Sequence, residues 1–405
     1  MDLREKIRDM KIVDHHVHAL DSFYWMESIG SYPFAPFIAK LPVPDPLAML
    51  TRSRRMLKSY REVYGFPYSE FTQENIKELD DLYQASLKDE GTFYMKAMDV
   101  SGIESVLSMC MSRPVLGPGL DPARVARAQL IDGFIAPLDN SGIGDDPRTK
   151  MFVKMMEVYP KGILQKLYPK SFDDYVNMIT VALEEMAKDG VIAIKSNHPY
   201  WRDIAIDAVD KKDAEDVYNK KDATPVRYKM LQDYLMRHLI AKAGELDLPL
   251  HVHTGGHGIA QPVHLAEPTR FDPFLWLPDI KPAKIVLLHG GFPYLREAGF
   301  MASRMGGPNV YLDISLITLG LPGTPGTIAK ILRDWLEAGL APKMLYGSDG
   351  PSIFLLSISS INIREELHLA LKGMIDDGLI NEDQAFTMAQ MILHDNAKKL
   401  YNNKI

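Results

Sequence analysis

Eight short apolar runs punctuate the chain, and most are followed by a longer stretch whose apolar residues recur every three to four positions. The runs are KIVDHHVH (11–18), IESVLSMCM (103–111), LIDGFIAPLD (130–139), VIAIKSN (191–197), LPLHVHTG (248–255), KIVLLHGG (284–291), NVYLDIS (309–315) and KMLYGSDG (343–350). Short, nearly continuous apolar runs read as buried strands. The stretches 171–190 and 227–247 read as amphipathic helices; the second places Met230, Tyr234, Leu235 and Leu239 on one stripe. Gly190 stands just past the first, where a helix commonly ends. Strands alternating with helices imply a parallel sheet in an α/β fold. Eight such units make a closed (β/α)8 TIM barrel over residues 1–405 the leading architecture. An open doubly wound sheet is second. It would usually carry a glycine-rich first turn, which DHHVHALDSF is not.

Between residues 18 and 103 the connection is far longer than the usual few residues. It is rich in Tyr, Phe and Pro, then helical through SEFTQENIKELDDLYQASLKDEG. We read 19–92 as a largely helical cap inserted after the first strand. Further inserts are expected at about 140–170 and 203–225, and 378–405 reads as a C-terminal helical packing segment.

The 405 residues, 46% apolar and 24% charged, fit a globular chain. The net charge of −7 gives no basic field for nucleic acid. A single cysteine, Cys110 in an apolar run, excludes an intramolecular disulfide and fits a reducing compartment. The charged amphipathic start does not resemble a signal peptide, and no apolar run is long enough to span a membrane. A cytoplasmic protein acting on a small molecule is expected. A homodimer would be ordinary for such a barrel.

Polar residues stand at the strand ends. The first run ends in His16 and His18, the fourth in Lys195, the fifth in His251 and His253, the sixth in His289 and the eighth in Asp349. Residues i and i+2 of a strand share a face, so His16 and His18 project together. Each alone has a bland explanation, such as a solvated strand end. Five strands with the same ending, in a fold that gathers those ends at one mouth, point to a site. Imidazoles with a carboxylate suit Zn²⁺, or Mn²⁺, Fe²⁺ or Co²⁺ with harder ligands. Asp349 would also serve as general base, and His289 as second-metal ligand or electrophile. Lys195 has two readings: carbamylated, it bridges two metals; unmodified, it is a cation for a substrate carboxylate.

The stretches DHHVH, IAIKSN, LPLHVHTGGHG, IVLLHGGFPYLREAGFMA, NVYLDIS, MLYGSDG and HDNAKKLY resemble the amidohydrolase superfamily of metal-dependent barrels. They are most similar to the amidohydrolase-2 branch, which includes the domain fused to glutamine synthetase in nodulin-like proteins. The resemblance implies His16, His18, His253 and Asp349 as ligands of one metal, and His289 as catalytic histidine or second-metal ligand. It places Lys195 at the position carbamylated in binuclear members. It also suggests Tyr200 and Arg202 as substrate contacts, where glutamine-synthetase-fused relatives carry a tyrosine–arginine segment. His251 then reads as a core or supporting histidine.

Of the remaining polar residues, His198, His257 and Arg113 are substrate-contact candidates set against loop or surface-salt-bridge roles. His15 reads as structural, and Asp313 as a residue orienting a ligand histidine. The expected activity is hydrolysis of an amide, lactone or ester bond in a small, carboxylate-bearing substrate. Lys195, Arg202 and Arg113 carry the inference of a carboxylate. A mononuclear metal-dependent decarboxylase is the first alternative and a non-catalytic binding barrel the second. A sugar-acid isomerase fits less well, since those relatives lack the strand-six histidine.

Overall fold

The computed structural model describes residues 2–18, 57–70, 73–110, 118–142, 169–256, 262–315, 326–350 and 353–405. Its strands are β1 (Ile12–Val17), β2 (Ile103–Cys110), β3 (Val125–Leu130), β4 (Val191–Ser196), β5 (Leu250–His253), β6 (Lys284–Leu288), β7 (Asn309–Asp313) and β8 (Met344–Leu345). They form one sheet in the order β1 to β8, the strand arrangement of a (β/α)8 barrel. Helices fill the connections: α1 (Leu3–Asp9), α2 (Gln73–Ser86), α3 (Glu90–Val100), α4 (Phe172–Lys188), α5 (Lys211–Lys220), α6 (Pro225–Glu245), α7 (Leu295–Ser303), α8 (Thr327–Glu337), α9 (Ile353–Asp376), α10 (Glu382–Gln390) and α11 (Asn396–Leu400). Among the described residues, no helix is long and apolar enough to cross a membrane. Residues 19–56 and 71–72 of the expected cap lie outside the described residues, as do 143–168 of the second insert.

Residues divide into two compact units. The first holds 1–109, 114–126 and 314–405, hence β1, β8 and nearly all of β2; the second holds 110–113 and 127–313, hence most of β3 and all of β4 to β7.

In the first unit β1 pairs with β2 in parallel on one side. On its other side it meets the segment around β8 through His15 N to Tyr346 O (3.1 Å), Asp349 N to His16 O (2.8 Å) and His18 N to Gly350 O (3.1 Å). Every residue of β1 is buried, polar ones included. Gly350 is required by close packing: a Cβ there would stand 2.8 Å from Ser348 Oγ and 3.1 Å from the Leu356 backbone nitrogen of α9. Near the start of the strands, Arg364 of α9 donates to the carbonyls of Ile7 (2.6 Å), Met10 (2.9 Å) and Ser101 (3.2 Å). Burial lowers its pKa to about 10, so it remains a cation at neutral pH. Two residues on, buried Glu366 accepts from the Gly326 and Ala329 backbone nitrogens at the N-terminus of α8, where a negative charge is favoured.

In the second unit β3 to β7 run parallel, with one break in register, between Arg127 and Ala128 of β3. A capping box of Ser171 and Asp174 starts α4, and its buried residues Phe172, Tyr175, Ile179, Leu183 and Met186 follow the helical period. In α6 the buried stripe runs through Tyr228, Leu231, Leu235 and Leu239. Of the four residues expected on its stripe, Met230 and Tyr234 are only half-buried, and Tyr234 packs its ring on Phe172 (5.5 Å).

Two strands differ from expectation. The third strand precedes the apolar run 130–139, because β3 is half-exposed along VARAQL and lacks a continuous apolar signature. Arg127 on its open side donates to the Asp189 carboxylate and carbonyl at the end of α4. The apolar residues Phe134 and Ile135 are buried instead in a single helical turn, Asp132–Ile135. The eighth strand keeps only two residues, after which the chain turns to present Asp349.

Replacing Arg364 with Ala removes the guanidinium from the Ile7 and Met10 carbonyls, while the Ser101 carbonyl keeps the Ser360 hydroxyl at 2.8 Å. The expected loss is about 3 kcal/mol of stability, measured as a fall in the urea midpoint with unchanged slope. Arg364→Lys should recover only part of it, because an ammonium cannot span three carbonyls as the planar guanidinium does.

Candidate metal centre

The end of β1 and the turn after β8 bring three side chains of the first unit together. His16 Nε2 lies 3.2 Å, and His18 Nε2 3.1 Å, from the same Asp349 Oδ1. The three ligand atoms all lie within 4.8 Å of one another. Strand alternation puts both imidazoles on one face, and the backbone link from Asp349 N to His16 O fixes the carboxylate opposite them. Asp349 adopts φ +49°, a left-handed conformation that a non-glycine residue holds only under constraint.

The neighbours of this triad set its orientation. Ser315 Oγ is 3.3 Å from His16 Nδ1. A proton on Nδ1, donated to that hydroxyl, leaves the Nε2 lone pair facing Asp349. Asp14, fully buried, accepts from the His16 nitrogen (3.2 Å) and from the Ser348 nitrogen (3.0 Å). One carboxylate oxygen thus ties β1 to the residue before Asp349. Two neutral imidazoles and a carboxylate aimed at one point are the donor set of a divalent metal, and the three fit that role. His15 is turned the other way, its Nδ1 3.0 Å from the Tyr401 hydroxyl, as expected of a structural histidine.

The second unit carries the other polar strand ends. Lys195 on β4 is 2% exposed and lies beside His251 of β5 in the register. His253, at the end of β5, has its Nδ1 3.1 Å from His289 Nε2, and the two rings meet edge to face. His289 has φ +62°. Its backbone nitrogen donates to buried Asp313 (3.3 Å). Among the described residues, four other non-glycine residues have positive φ: Lys221, Asp247, Asn402 and Asn403. All four follow helix ends, where that conformation is routine. Asp349 and His289 stand apart because they follow strands.

The turn after β4 holds three candidates, and the structure separates them. Tyr200 is half-exposed, its ring 4.1 Å from that of His253. His198 is buried, with Nδ1 2.8 Å from Ser196 Oγ and Nε2 3.2 Å from the Ile204 carbonyl. Arg202 donates to the carbonyls of Asp203 (3.1 Å) and Ala205 (2.9 Å), to Gln232 (3.3 Å) and to buried Asp233. His198 and Arg202 therefore hold the turn itself rather than face a substrate. Sequence pattern could not show this, because a histidine and an arginine beside a strand end look the same whichever way they point. With Arg202 spent on protein acceptors, one reason for expecting a substrate carboxylate is gone. Arg113 and His257 lie outside the described residues.

Asp132 escaped the sequence reading. It is 4% exposed and accepts from the Asn197 nitrogen at 2.8 and 2.9 Å. Burial raises its pKa to about 6. The only signal was a charged residue inside an apolar run.

Asp14→Ala should weaken Co²⁺ or Zn²⁺ binding by about 10- to 100-fold in competition with a chelator, because the turn carrying Asp349 loses its anchor. Asp14→Asn, which keeps an acceptor oxygen, should lose much less; equal losses would contradict an anchoring role. A second expectation concerns acid. Burial pushes His198 down to about 3. A depressed pKa contributes stability above the unfolded value near 6.5 and loses it as pH falls toward 3. By pH 4.5 the loss is about 2–3 kcal/mol. His198→Gln should be less stable than wild type at pH 7 and lose less between pH 7 and 4.5, as read by urea unfolding.

A sequence profile described as Amidohydrolase matches residues 179–402, more than half of the chain. Protein fluG of Emericella nidulans is 27% identical over 248 residues, 56% of this chain but only 27% of that longer protein. Among solved structures, a protein described as a metal-dependent hydrolase from Lactobacillus casei aligns with a TM-score of 0.67 at 19% identity, over 100% of this chain and 98% of that one. Uronate isomerase of Thermotoga maritima gives 0.64 at 13% identity, over 98% and 96% of the two chains. Glucuronate isomerase of Caulobacter crescentus gives 0.67 at 14%, over 99% and 93%. At these identities the structural likenesses speak for the barrel fold alone. The profile match, with the paired histidines at the end of β1, leads to one assignment: the chain belongs to the amidohydrolase family, in its amidohydrolase-2 branch.

Proposed function

We propose that this chain is a metal-dependent hydrolase that cleaves an amide, lactone or ester bond of a small substrate. The observation that carries the reading is the convergence of His16 Nε2 and His18 Nε2 on one oxygen of Asp349, at 3.2 and 3.1 Å. His16, His18 and Asp349 would hold a divalent metal, with zinc the best match to their donor chemistry. The sequence resemblance adds His253 as a further ligand, and Lys195 if a second ion is present. When bound, such an ion acidifies water toward a pKa of about 7 and polarises a carbonyl.

The chain's own groups do the remaining work in this reading. Asp349 takes the proton from the attacking water and returns it to the leaving group. His289, by the same resemblance, donates to the oxygen on which charge develops. Tyr200 is the substrate contact retained from the sequence. The left-handed backbone at Asp349 fits a catalytic carboxylate, since strain of this kind persists where function requires it.

Elemental mass spectrometry on untagged protein purified without chelators should find at least one Zn²⁺ or comparable ion per chain. Two ions would indicate a bridging, carbamylated Lys195, and one a cationic Lys195. None after reconstitution would sink the proposal. Turnover of a panel of small amides and lactones in ¹⁸O-water should label the product carboxylate. Release of CO₂ without label would identify a decarboxylase instead. Asp349→Asn should lower kcat/KM by about 10²–10⁴-fold while the circular dichroism spectrum is unchanged.

A further inference from the structure

The turn after β4, residues 196–206, is made largely of groups that bond to each other. Tyr200 N donates to Asn197 O (2.9 Å), and Trp201 N and Arg202 N to His198 O (3.0 and 2.9 Å). Ile204 N reaches across to Leu265 O (2.8 Å). Arg202 and Asp233 secure the far end, where Asp207 N also donates to Asp233 (3.1 Å). At the near end stands Asp132, with Ser196 Oγ 3.2 Å and Asn197 N 2.8 Å from its Oδ1. Between these anchors Pro199 and Trp201 are buried, and Tyr200 leans half-exposed on His253.

We propose that Asp132 is a positioning residue which locks the start of this turn and thereby holds the Tyr200 ring against His253. The role of His253 as a ligand rests on the function proposed above; the positioning of Tyr200 does not.

A count of protons sharpens the proposal. His198 is buried between one hydroxyl and one carbonyl. The Ile204 carbonyl can only accept, so the proton of neutral His198 belongs on Nε2. Its Nδ1 then accepts from the Ser196 hydroxyl. That hydroxyl has no second proton, so its bond with Asp132 needs a proton from the acid. A neutral Asp132 donates to Ser196 Oγ with one oxygen and accepts from Asn197 N with the other. Burial raises Asp132 to about 6, toward that neutral form, which predominates below about pH 6, so the histidine spectra of the test are recorded at pH 5.5. The relay runs Asp132, Ser196, His198, Ile204 carbonyl, each donating to the next. Asparagine reproduces both functions of the neutral acid, a donor nitrogen and an acceptor oxygen; alanine reproduces neither.

The test uses the full chain labelled with ¹³C-histidine, with the His253 signal assigned by its loss in His253→Gln. Tyr200→Ala gives the position of that signal without the tyrosine ring. Asp132→Ala should move the His253 signal at least halfway toward that position, and Asp132→Asn should leave it in place. Co²⁺ titration should show about tenfold weaker binding in Asp132→Ala and less than twofold change in Asp132→Asn. If Asp132→Ala does not fold, Ser196→Ala cuts the same relay and should move the signal in the same direction. An unmoved His253 signal in the folded variant overturns the proposal. So does a signal that moves equally in Asp132→Asn, because the relay would then not be the cause. A moved signal with unchanged Co²⁺ affinity overturns the link from the turn to the metal. Failure of the wild type itself to bind Co²⁺ sinks the metal centre, while the histidine signal alone still decides whether Asp132 positions Tyr200.

Discussion

The candidate centre depends on the backbone ladder between β1 and the turn after β8. Three hydrogen bonds, from His15 to Tyr346, Asp349 to His16 and His18 to Gly350, fix the register of the two segments. Each contributes only about 1 kcal/mol net. Their effect on geometry is larger. They set the height of Asp349 against His16 and His18, and they hold its backbone in a left-handed conformation that costs about 1–2 kcal/mol. Asp14 reinforces the same joint from the side chain. A shift of one residue would turn both histidines' partner away, since successive strand residues face opposite sides. The burial of every residue of β1, polar ones included, makes such a shift expensive.

The second unit solves a related problem by other means. The turn after β4 must leave the strand without exposing its backbone to an unpaired, dry environment. It does so with two buried acidic side chains, Asp132 and Asp233, and with His198 and Arg202 turned inward onto carbonyls. Internal bonding of this density leaves Tyr200 as the half-exposed aromatic of the turn. Of the three candidates in the pattern SNHPYWR, His198 and Arg202 are scaffold. A buried polar network of this kind is worth most when every member is satisfied, and loss of one member strands the others.

Six strands were legible because their apolar runs are nearly continuous: β1, β2, β4, β5, β6 and β7 stand within a few residues of where the pattern put them. The third strand was misplaced because its half-exposed residues, Arg127 among them, face away from the core, so its pattern is that of a surface segment. The eighth strand was overestimated because GSDG continues the run in sequence while its backbone turns away. The candidate ligands were legible for a chemical reason: histidine and aspartate are out of place at the end of an apolar strand. Of their orienting partners only Asp313, at the end of an apolar strand, was legible; Asp14 and Ser315 were not, because they are common residues whose role exists only in their contacts.

The sequence by itself determined the alternation of strands and helices, hence the barrel, and the face shared by His16 and His18. Periodicity is a local property, and burial of each face against its neighbour enforces it. Only the tertiary structure decided that both imidazoles meet one oxygen of Asp349, and that Asp349 and His289 sit at left-handed backbone positions. It likewise decided that His198 and Arg202 face inward while Tyr200 faces His253. The direction of a side chain in a loop is set by which distant carbonyls and carboxylates need a partner, and no local spacing encodes that.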